Sequence, residues 1–173
     1  LSEREYTESL EIRKKLADNT SIIHLPDVAN SLNNLAILHY QLHKYEQAEH
    51  EYGEALTIRR KLSEKNPKTY LFGVAMTLNN LGNLQSVLHK YALSEREYEE
   101  SLAIRRMLAK DHPDAYLPDV AMSLKNLAIL HHKWCQYNQE ELEYREALTI
   151  YRKLADNNPD VLMPDVIKCL NNL

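Results

Sequence analysis

Asparagine side chains recur at one position of the sequence. Asn34, Asn80, Asn126 and Asn172 are each separated from the next by 46 residues. A carboxamide carries a donor and an acceptor, the same pair that a peptide unit carries, so a row of carboxamides can hold an extended backbone without selecting its side chains. The spacing therefore favours peptide recognition over catalysis. A second interpretation stays open, in which each asparagine bonds to a neighbouring helix and fixes the angle between repeats.

These asparagines belong to a wider polar face. When the apolar stripe of their helix is set at zero and each residue advances by about 100°, the opposite face collects mainly carboxamides, and cations appear only toward the C-terminal end. The candidate binding residues on this face are Asn33, Asn34, Asn79, Asn80, Asn83, Lys125, Asn126, His132, Lys168 and Asn172.

Histidine and cysteine could form a metal site in one region. His131 and Cys135 are four residues apart on one helical face, and His89 lies at the register of Cys135 one repeat earlier. A zinc site needs four ligands with supporting partners, so we expect neither a metal nor another cofactor. Instead we expect His39 and His131 to replace core aromatic residues, and His43, His89 and Cys135 to lie in turns.

Catalysis finds little support. No Ser, Cys or Lys comes with a plausible base and orienting group at a repeated spacing, so we expect no enzymatic activity. Clusters of glutamates are interpreted as solvated charge near helix N-termini, where anions are favoured. These glutamates are Glu95, Glu97, Glu99, Glu100, Glu140, Glu141 and Glu143.

The charge balance limits the classes of partner. Lys and Arg number 21 against 25 Asp and Glu, a net charge of −4 with the signs interspersed. A nucleic-acid or anionic membrane surface needs a basic stripe, and no apolar run approaches the roughly 20 residues that span a bilayer. We therefore expect no nucleic-acid or membrane partner. Cys135 and Cys169 are expected to be thiols because their registers place them roughly 18 Å apart, which fits a reducing, cytoplasmic setting.

The chain is built from a repeat. The motif Leu-Asn/Lys-Asn-Leu recurs every 46 residues, and a second motif around Tyr6, Tyr52, Tyr98 and Tyr144 keeps the same step. Residues 1–6 recur unchanged as residues 93–98. The predicted units are a trailing half-repeat (1–26), three whole repeats (27–72, 73–118, 119–164) and the start of another (165–173). Because residue 1 falls inside a motif, we expect a fragment of a longer protein.

Each unit is predicted to hold two amphipathic helices. Helix A is predicted to start after a Pro-Asp pair, with the aspartate as its cap. The pairs are Pro26-Asp27, Pro118-Asp119 and Pro164-Asp165. Helix B runs to about Lys65, where Asn66-Pro67 stops it. His112-Pro113 and Asn158-Pro159 stop the later B helices in the same way. A short turn from His43 to Tyr45 makes the two helices antiparallel.

The spacing of these residues resembles the signature of tetratricopeptide repeats. The matching residues in the first whole unit are Leu32, Leu35, Ala36, Tyr45, Ala48, Tyr52, Ala55 and Leu56. The resemblance implies an all-α fold, an α-solenoid of antiparallel helix pairs stacked into a right-handed superhelix, whose concave groove is lined by the A helices. The 46-residue period exceeds the family's usual 34, and we assign the extra length to helix B and the following loop. In this respect the chain is similar to kinesin light-chain repeats and long-helix bacterial arrays.

Some members of this family grip a C-terminal carboxylate with basic and Asn residues. The equivalent positions here are Asn79, Asn83, Asn126, Lys168 and Asn172. The family has Lys at the first position and Arg at the last. Without those two charge-assisted contacts, we do not expect such a clamp.

The resulting prediction is a protein- or peptide-binding scaffold that uses the A-helix groove. Two alternatives remain, a self-associating structural solenoid and the regulatory array of a larger enzyme or signalling protein. Head-to-tail self-association is expected because apolar residues near both ends lack the neighbouring helix of a complete repeat. These residues are Tyr6, Leu10, Leu16, Val166, Leu170 and Leu173.

Overall fold

The fold is all-α. A computed structural model describes residues 4–5, 7–8, 10–13, 24–156 and 159–173, and the first three of these ranges are helical. Seven further helices follow and alternate between A type and B type, so α1, α3, α5 and α7 are A helices, and α2, α4 and α6 are B helices. They are α1 (Leu25–Gln41), α2 (Tyr45–Lys65), α3 (Pro67–Val87), α4 (Tyr91–Asp111), α5 (Pro113–Lys133), α6 (Tyr137–Ala155) and α7 (Pro159–Asn171).

The B helices end where the sequence predicts. Asn66 and His112 have extended backbones, with φ of −142° and −136°, because the proline that follows each of them disfavours helical geometry. A single residue therefore separates α2 from α3, and a single residue separates α4 from α5. The predicted stop at Asn158 lies outside the described residues.

The start at a Pro-Asp pair is confirmed for α1, which begins at Leu25 with Pro26 in its first turn, but it is wrong for α5 and α7. The helices α3, α5 and α7 begin at Pro67, Pro113 and Pro159, since proline suits the first helical position, where its missing N–H is not needed. Pro118 and Pro164 consequently lie inside their helices. The aspartates that follow them are not caps, and neither α1 nor α5 has a side-chain capping bond. The B helices α2 and α4 are long, at 21 residues each, as predicted. The segment after each of them, which was predicted to be a loop, is helix at the start of A.

The turns from A to B are three residues long and share one unusual backbone state. His43, His89 and Cys135 have φ of 58°, 57° and 60°, the left-handed conformation that commonly ends a helix. The prediction that these are turn residues is confirmed. The His43 and His89 rings lie against the tyrosine two residues later, with Nδ1 2.7 and 2.8 Å from its hydroxyl.

The chain divides into two compact units, residues 1–84 and 85–173. In the first, Leu10, Val28, Leu32, Leu35 and Ala55 form a buried cluster. In the second, a larger cluster runs from Tyr98 to Cys169 across α4, α5, α6 and α7. Each core is therefore made between helices adjacent in the chain, as in a solenoid. Within the described parts of the chain, no helix is long and apolar enough to cross a membrane.

Candidate functional site

The repeated asparagines are accessible. Asn34 and Asn172 are exposed, while Asn80 and Asn126 are partly exposed. The prediction that Asn34, Asn80 and Asn126 face solvent is confirmed. Each of these side chains therefore has part of its surface open to solvent within its own unit.

Two other predicted members of this face are buried. Asn33 is only 4% exposed and Asn79 only 7%, which corrects their placement on an open surface. In the first unit the Asn80 Nδ2 donates to the Asn33 Oδ1 at 3.4 Å and joins α3 to α1. The second interpretation, in which an asparagine of the repeated position bonds to a neighbouring helix, is therefore confirmed for Asn80. Asn80 both makes the link and keeps part of its surface open.

In the first unit the accessible face contains a pocket of about 260 Å³. We call it the first groove pocket. It is lined by Ile37, Tyr40 and Gln41 of α1, Tyr52 of α2, and Asn80 and Asn83 of α3. The pocket thus has an aromatic floor from a B helix and amide walls from two A helices, and all its lining side chains are neutral.

In the second unit a pocket of about 430 Å³ occupies the equivalent position. This second groove pocket is lined by Ile129, His132 and Lys133 of α5, Glu140 and Tyr144 of α6, and Asn171 and Asn172 of α7. Five of these residues lie two repeat lengths after residues of the first pocket: Ile129, His132, Lys133, Tyr144 and Asn172. The repeat therefore builds the same pocket twice and changes its charge.

The tyrosine floors are neutral hydrogen-bonding groups. Burial raises the pKa of Tyr52 well above its ordinary value and raises the pKa of Tyr144 to about 12. The neighbouring Asn172 acts to lower the pKa of Tyr144, but burial outweighs it. Because both hydroxyls keep their protons at neutral pH, each can donate to or accept from a peptide group.

Two of the predicted basic residues, Lys125 and His132, have partners within the second unit. Lys125 lies 2.9 Å from the Asp165 carboxylate and over the Tyr151 ring at 5.7 Å. The His132 Nδ1 lies 3.0 Å from a Glu140 oxygen. Lys168 is exposed on α7. The positive end of the predicted face is thus partly neutralised by carboxylates of the same unit.

His131 has a different role from an aromatic filler. It is buried, as predicted, and so is His39. However, its Nδ1 lies 2.8 Å from Glu143 of α6 and its Nε2 lies 3.0 Å from Glu95 of α4. The interpretation of Glu95 and Glu143 as solvated charge is therefore wrong, because both carboxylates bind this ring. His39 repeats the arrangement in the first unit, with Nδ1 2.8 Å from Glu51.

The two carboxylates alter the proton affinity of the cluster. Burial acts to lower the pKa of His131, but the hydrogen bonds from Glu143 and Glu95 outweigh it and the pKa is raised. Burial also raises the pKa of Glu143. Among the described residues, no group of three or more acidic, histidine or cysteine side chains is arranged to hold a metal ion. The cluster joins α4, α5 and α6 through ion pairs.

A set of repeated arginines, of which Arg59 and Arg105 are buried and Arg13 is partly exposed, was missed as a feature of the site. Arg13, Arg59 and Arg105 lie one repeat length apart, and the Nη1 of each donates to a main-chain carbonyl near the start of the next A helix. The acceptors are Asp27, Gly73 and Asp119, at 3.2, 2.8 and 3.1 Å. The 46-residue spacing of arginine on an otherwise apolar helix face was the signal in the sequence.

The cysteines are both free, as predicted. Cys135 is exposed in its turn, and Cys169 is fully buried in the second unit's core. Burial raises the pKa of the Cys169 thiol, so this sulfur is a packing group rather than a nucleophile.

Repeated A–B helix pairs with a shared motif define a helical-repeat protein. Two family models, both described as tetratricopeptide repeat, match residues 28–67 and 73–153. The chain belongs to the tetratricopeptide repeat family, whose repeats generally mediate protein–protein interaction and scaffolding.

Comparison with solved structures gives a similar fold in BtubC (BKLC) from P. vanneervenii. The TM-score is 0.46 and the sequence identity 18%, and the match covers 98% of this chain and 83% of that chain. Curated protein sequences give no match.

Proposed function

We propose that this chain is a non-catalytic binding module that holds an extended peptide segment of a partner protein along its A helices. The observation that carries the proposal is the pair of equivalent groove pockets, each with a buried tyrosine as floor and asparagine amides as wall. A peptide backbone needs donors and acceptors along its length, and amides and hydroxyls supply both. We further propose a cytoplasmic, reducing setting, which the two free cysteines support.

The pockets differ in what they offer to side chains. The first is neutral and has Ile37 and Tyr52 as apolar surface. The second adds His132, Lys133 and Glu140, which suit a polar or charged side chain. We therefore propose that the repeated amides hold the backbone, while the residues that vary between repeats select the sequence.

The test is selection of peptides from a random displayed library against the full chain. Selected peptides are then synthesised, and their dissociation constants are measured by fluorescence polarisation for wild type and for the double variant Asn80→Ala, Asn83→Ala, which removes both asparagine amides from the first groove pocket. Each lost amide contact is expected to weaken binding by about 1 kcal/mol, so the double variant should bind more than about tenfold more weakly.

Asn138→Ala is the matched control, because Asn138 is exposed on the B helix α6, outside both pockets. It should bind like wild type. The proposal fails if no peptide is enriched, or if the enriched peptides bind the double variant as tightly as the wild type.

The apolar residues expected to lack a neighbouring helix differ in their exposure. Leu10 and Val166 are buried, whereas Leu170 and Leu173 are exposed, and Tyr6 and Leu16 lie outside the described residues. Head-to-tail self-association stays a prediction.

A further inference from the structure

A cavity of about 290 Å³ lies in the first unit near the starts of α1 and α3. Its walls include Pro26 and Asn30 of α1, and Phe72, Gly73 and Met76 of α3. At its base is Arg59 of α2, a side chain in a residue that is only 5% exposed. The cavity therefore combines apolar walls with a buried cation.

All the hydrogen bonds described for Arg59 go to neutral oxygen atoms. Its Nη1 donates to the Gly73 carbonyl at 2.8 Å and to the Thr77 hydroxyl at 2.5 Å, and its Nη2 donates to the Asn30 Oδ1 at 2.9 Å. A guanidinium has five N–H donors. No acidic residue is among the described residues that line the cavity. The positive charge thus has hydrogen bonds but no counter-ion there.

The equivalent arginine of the second unit does have a counter-ion. The Arg105 Nη2 lies 3.8 Å from the Asp119 carboxylate, and Asp119 stands at the register that Gly73 occupies in the first unit. The same register holds Asp27 and Asp165 in the other repeats. Glycine at position 73 therefore removes the carboxylate that the repeat otherwise supplies.

Gly73 also creates the space in which the guanidinium lies. A Cβ atom at position 73 would be 3.3 Å from both Cδ and Nε of Arg59, which is close enough to require a small movement of the arginine. Glycine at position 73, in place of the aspartate of the other repeats, thus opens the cavity and also removes a carboxylate from beside the arginine. Because a buried charge is stabilised by an opposite partner, an anion from outside is the complementary ligand.

We propose that the cavity around Arg59 binds a carboxylate of the peptide that the groove holds, an inference that rests on the proposed function for the source of that carboxylate. One guanidinium matches the single charge of a carboxylate in a planar, paired geometry. A phosphate group carries about −1.5 to −2 and is bound by clusters of arginines, whereas the cavity lining contains one. Pro26, Phe72 and Met76 provide apolar surface for the methylene stem of an acidic residue.

The position of the cavity sets a spacing in the peptide. Asn30 of the cavity and Ile37 of the first groove pocket are both on α1 and seven residues apart, roughly 10 Å along the axis at 1.5 Å per residue. An extended peptide covers about 3.3 Å per residue. The acidic residue is therefore expected about three residues from the residue that fills the first groove pocket.

The cavity is tested first with small anions on the full ¹⁵N-labelled chain. The Arg59 Nε–Hε and Asn30 side-chain amide signals are followed in NMR spectra during titration with sodium acetate and, separately, inorganic phosphate, each at constant ionic strength with chloride. Acetate should shift both signals saturably, and phosphate should bind more weakly. Gly73→Asp should weaken the acetate response on the order of tenfold, because it restores the carboxylate of the other repeats.

Gly53→Asp is the matched control, since Gly53 is on the same helix as Arg59 and a Cβ there meets nothing within 4 Å. It adds the same charge and should leave acetate binding within about twofold of wild type. No shift with acetate, an equal loss in both variants, or tighter binding of phosphate would each overturn the carboxylate assignment.

The selected peptides separate this inference from the proposed function. If peptides bind and the double variant Asn80→Ala, Asn83→Ala weakens their binding, but acetate shifts no signal and Gly73→Asp does not change peptide binding, the groove proposal is supported and the anion site is rejected. If acetate binds at Arg59 and no peptide is enriched, the anion site stands, and both the proposed function and the peptide source of the carboxylate are rejected.

Discussion

At the scale of single residues, His131 illustrates how a buried ring can carry charge in a helical core. Its two nitrogens reach carboxylates on two different helices, so the ring is fixed in orientation and bridges three consecutive helices. The middle repeat has Gln85 at the same register, so the site accepts a neutral polar side chain of similar length.

The first prediction concerns pH. The pKa of His131 is raised from 6.5 in the folded chain, so its contribution to stability is fully present below about pH 6.5 and is lost as pH rises through the folded pKa. The raised pKa of Glu143 acts in the same direction, because the folded state again binds more protons than the unfolded state. The free energy of unfolding should therefore decline above pH 6.5 in wild type and change less in His131→Gln.

Urea denaturation at a series of pH values measures this difference. His132→Gln is the control, because His132 is the next residue and its side chain is 66% exposed; it should keep the wild-type slope. Parallel slopes for wild type and His131→Gln would contradict the assignment of the pH dependence to the buried cluster.

At the scale of the helix, the sequence predicts the end of each B helix better than the start of each A helix. The residue before a proline cannot readily be helical, so Asn66-Pro67 and His112-Pro113 end a helix wherever they occur. The same proline can also begin the next helix. Sequence alone does not separate these roles, and Pro26, Pro118 and Pro164 offered a second start signal that the chain does not use in α5 and α7.

The second prediction concerns proline inside a helix. Pro118 is the sixth residue of α5, where it lacks the N–H that would bond to Asp114. Replacing it with alanine should raise the free energy of unfolding by about 1 kcal/mol, part of the roughly 3 kcal/mol that an interior proline costs. Thermal denaturation measures the gain. Pro113→Ala, at the first helical position, should give no gain, and equal effects of the two substitutions would show that position within the helix is not the cause.

The third prediction concerns the arginine contacts between helices. Arg105 is 1% exposed and donates to the Asp119 carbonyl and the Ser123 hydroxyl at 3.1 and 2.7 Å. Arg105→Met should lower the free energy of unfolding by about 3 kcal/mol, since it leaves buried acceptors without their donor.

Arg106→Met provides the comparison for this prediction. Arg106 is the next residue and pairs with Glu146, but both side chains are nearly half exposed. Its loss should cost less than about 1 kcal/mol. Urea denaturation of the two variants measures both losses. Equal losses in the free energy of unfolding would contradict the stabilising role of the buried Arg105 contacts.

At the scale of the whole molecule, the period of 46 residues predicts the helix-pair architecture, whereas it does not predict which polar residues stay accessible. Asn33 and Asn34 are adjacent residues of α1. Viewed down the helix axis, they lie at similar angles from the apolar stripe, one in each direction around the helix. A projection of one helix therefore treats them alike. Asn33 is buried and bonds to Asn80 of α3, so the difference comes from a neighbouring helix that the projection omits.

The fourth prediction follows from the local nature of the packing. Since each core cluster is built within one unit, a destabilised contact should open its own surroundings first. Hydrogen exchange of Arg105→Met should show faster exchange in α4 and α5, while the amides of α1 and α2 keep their wild-type protection. A uniform loss of protection along the chain would instead indicate that the array unfolds as one unit.

The single-residue connections at Asn66 and His112 have a consequence for how such a chain can change during evolution. A connection of one residue cannot lengthen without disturbing the helices that it joins. An inserted residue would therefore extend one of these helices, and the residues after it in that helix would be rotated by about 100°. The arginine contacts, the buried carboxylate pairs and the amide row would all lose their register together. Gene variants of this protein are thus expected to gain or lose length in steps of a whole repeat, or in the three-residue turns that hold His43, His89 and Cys135, and not at the joints between repeats.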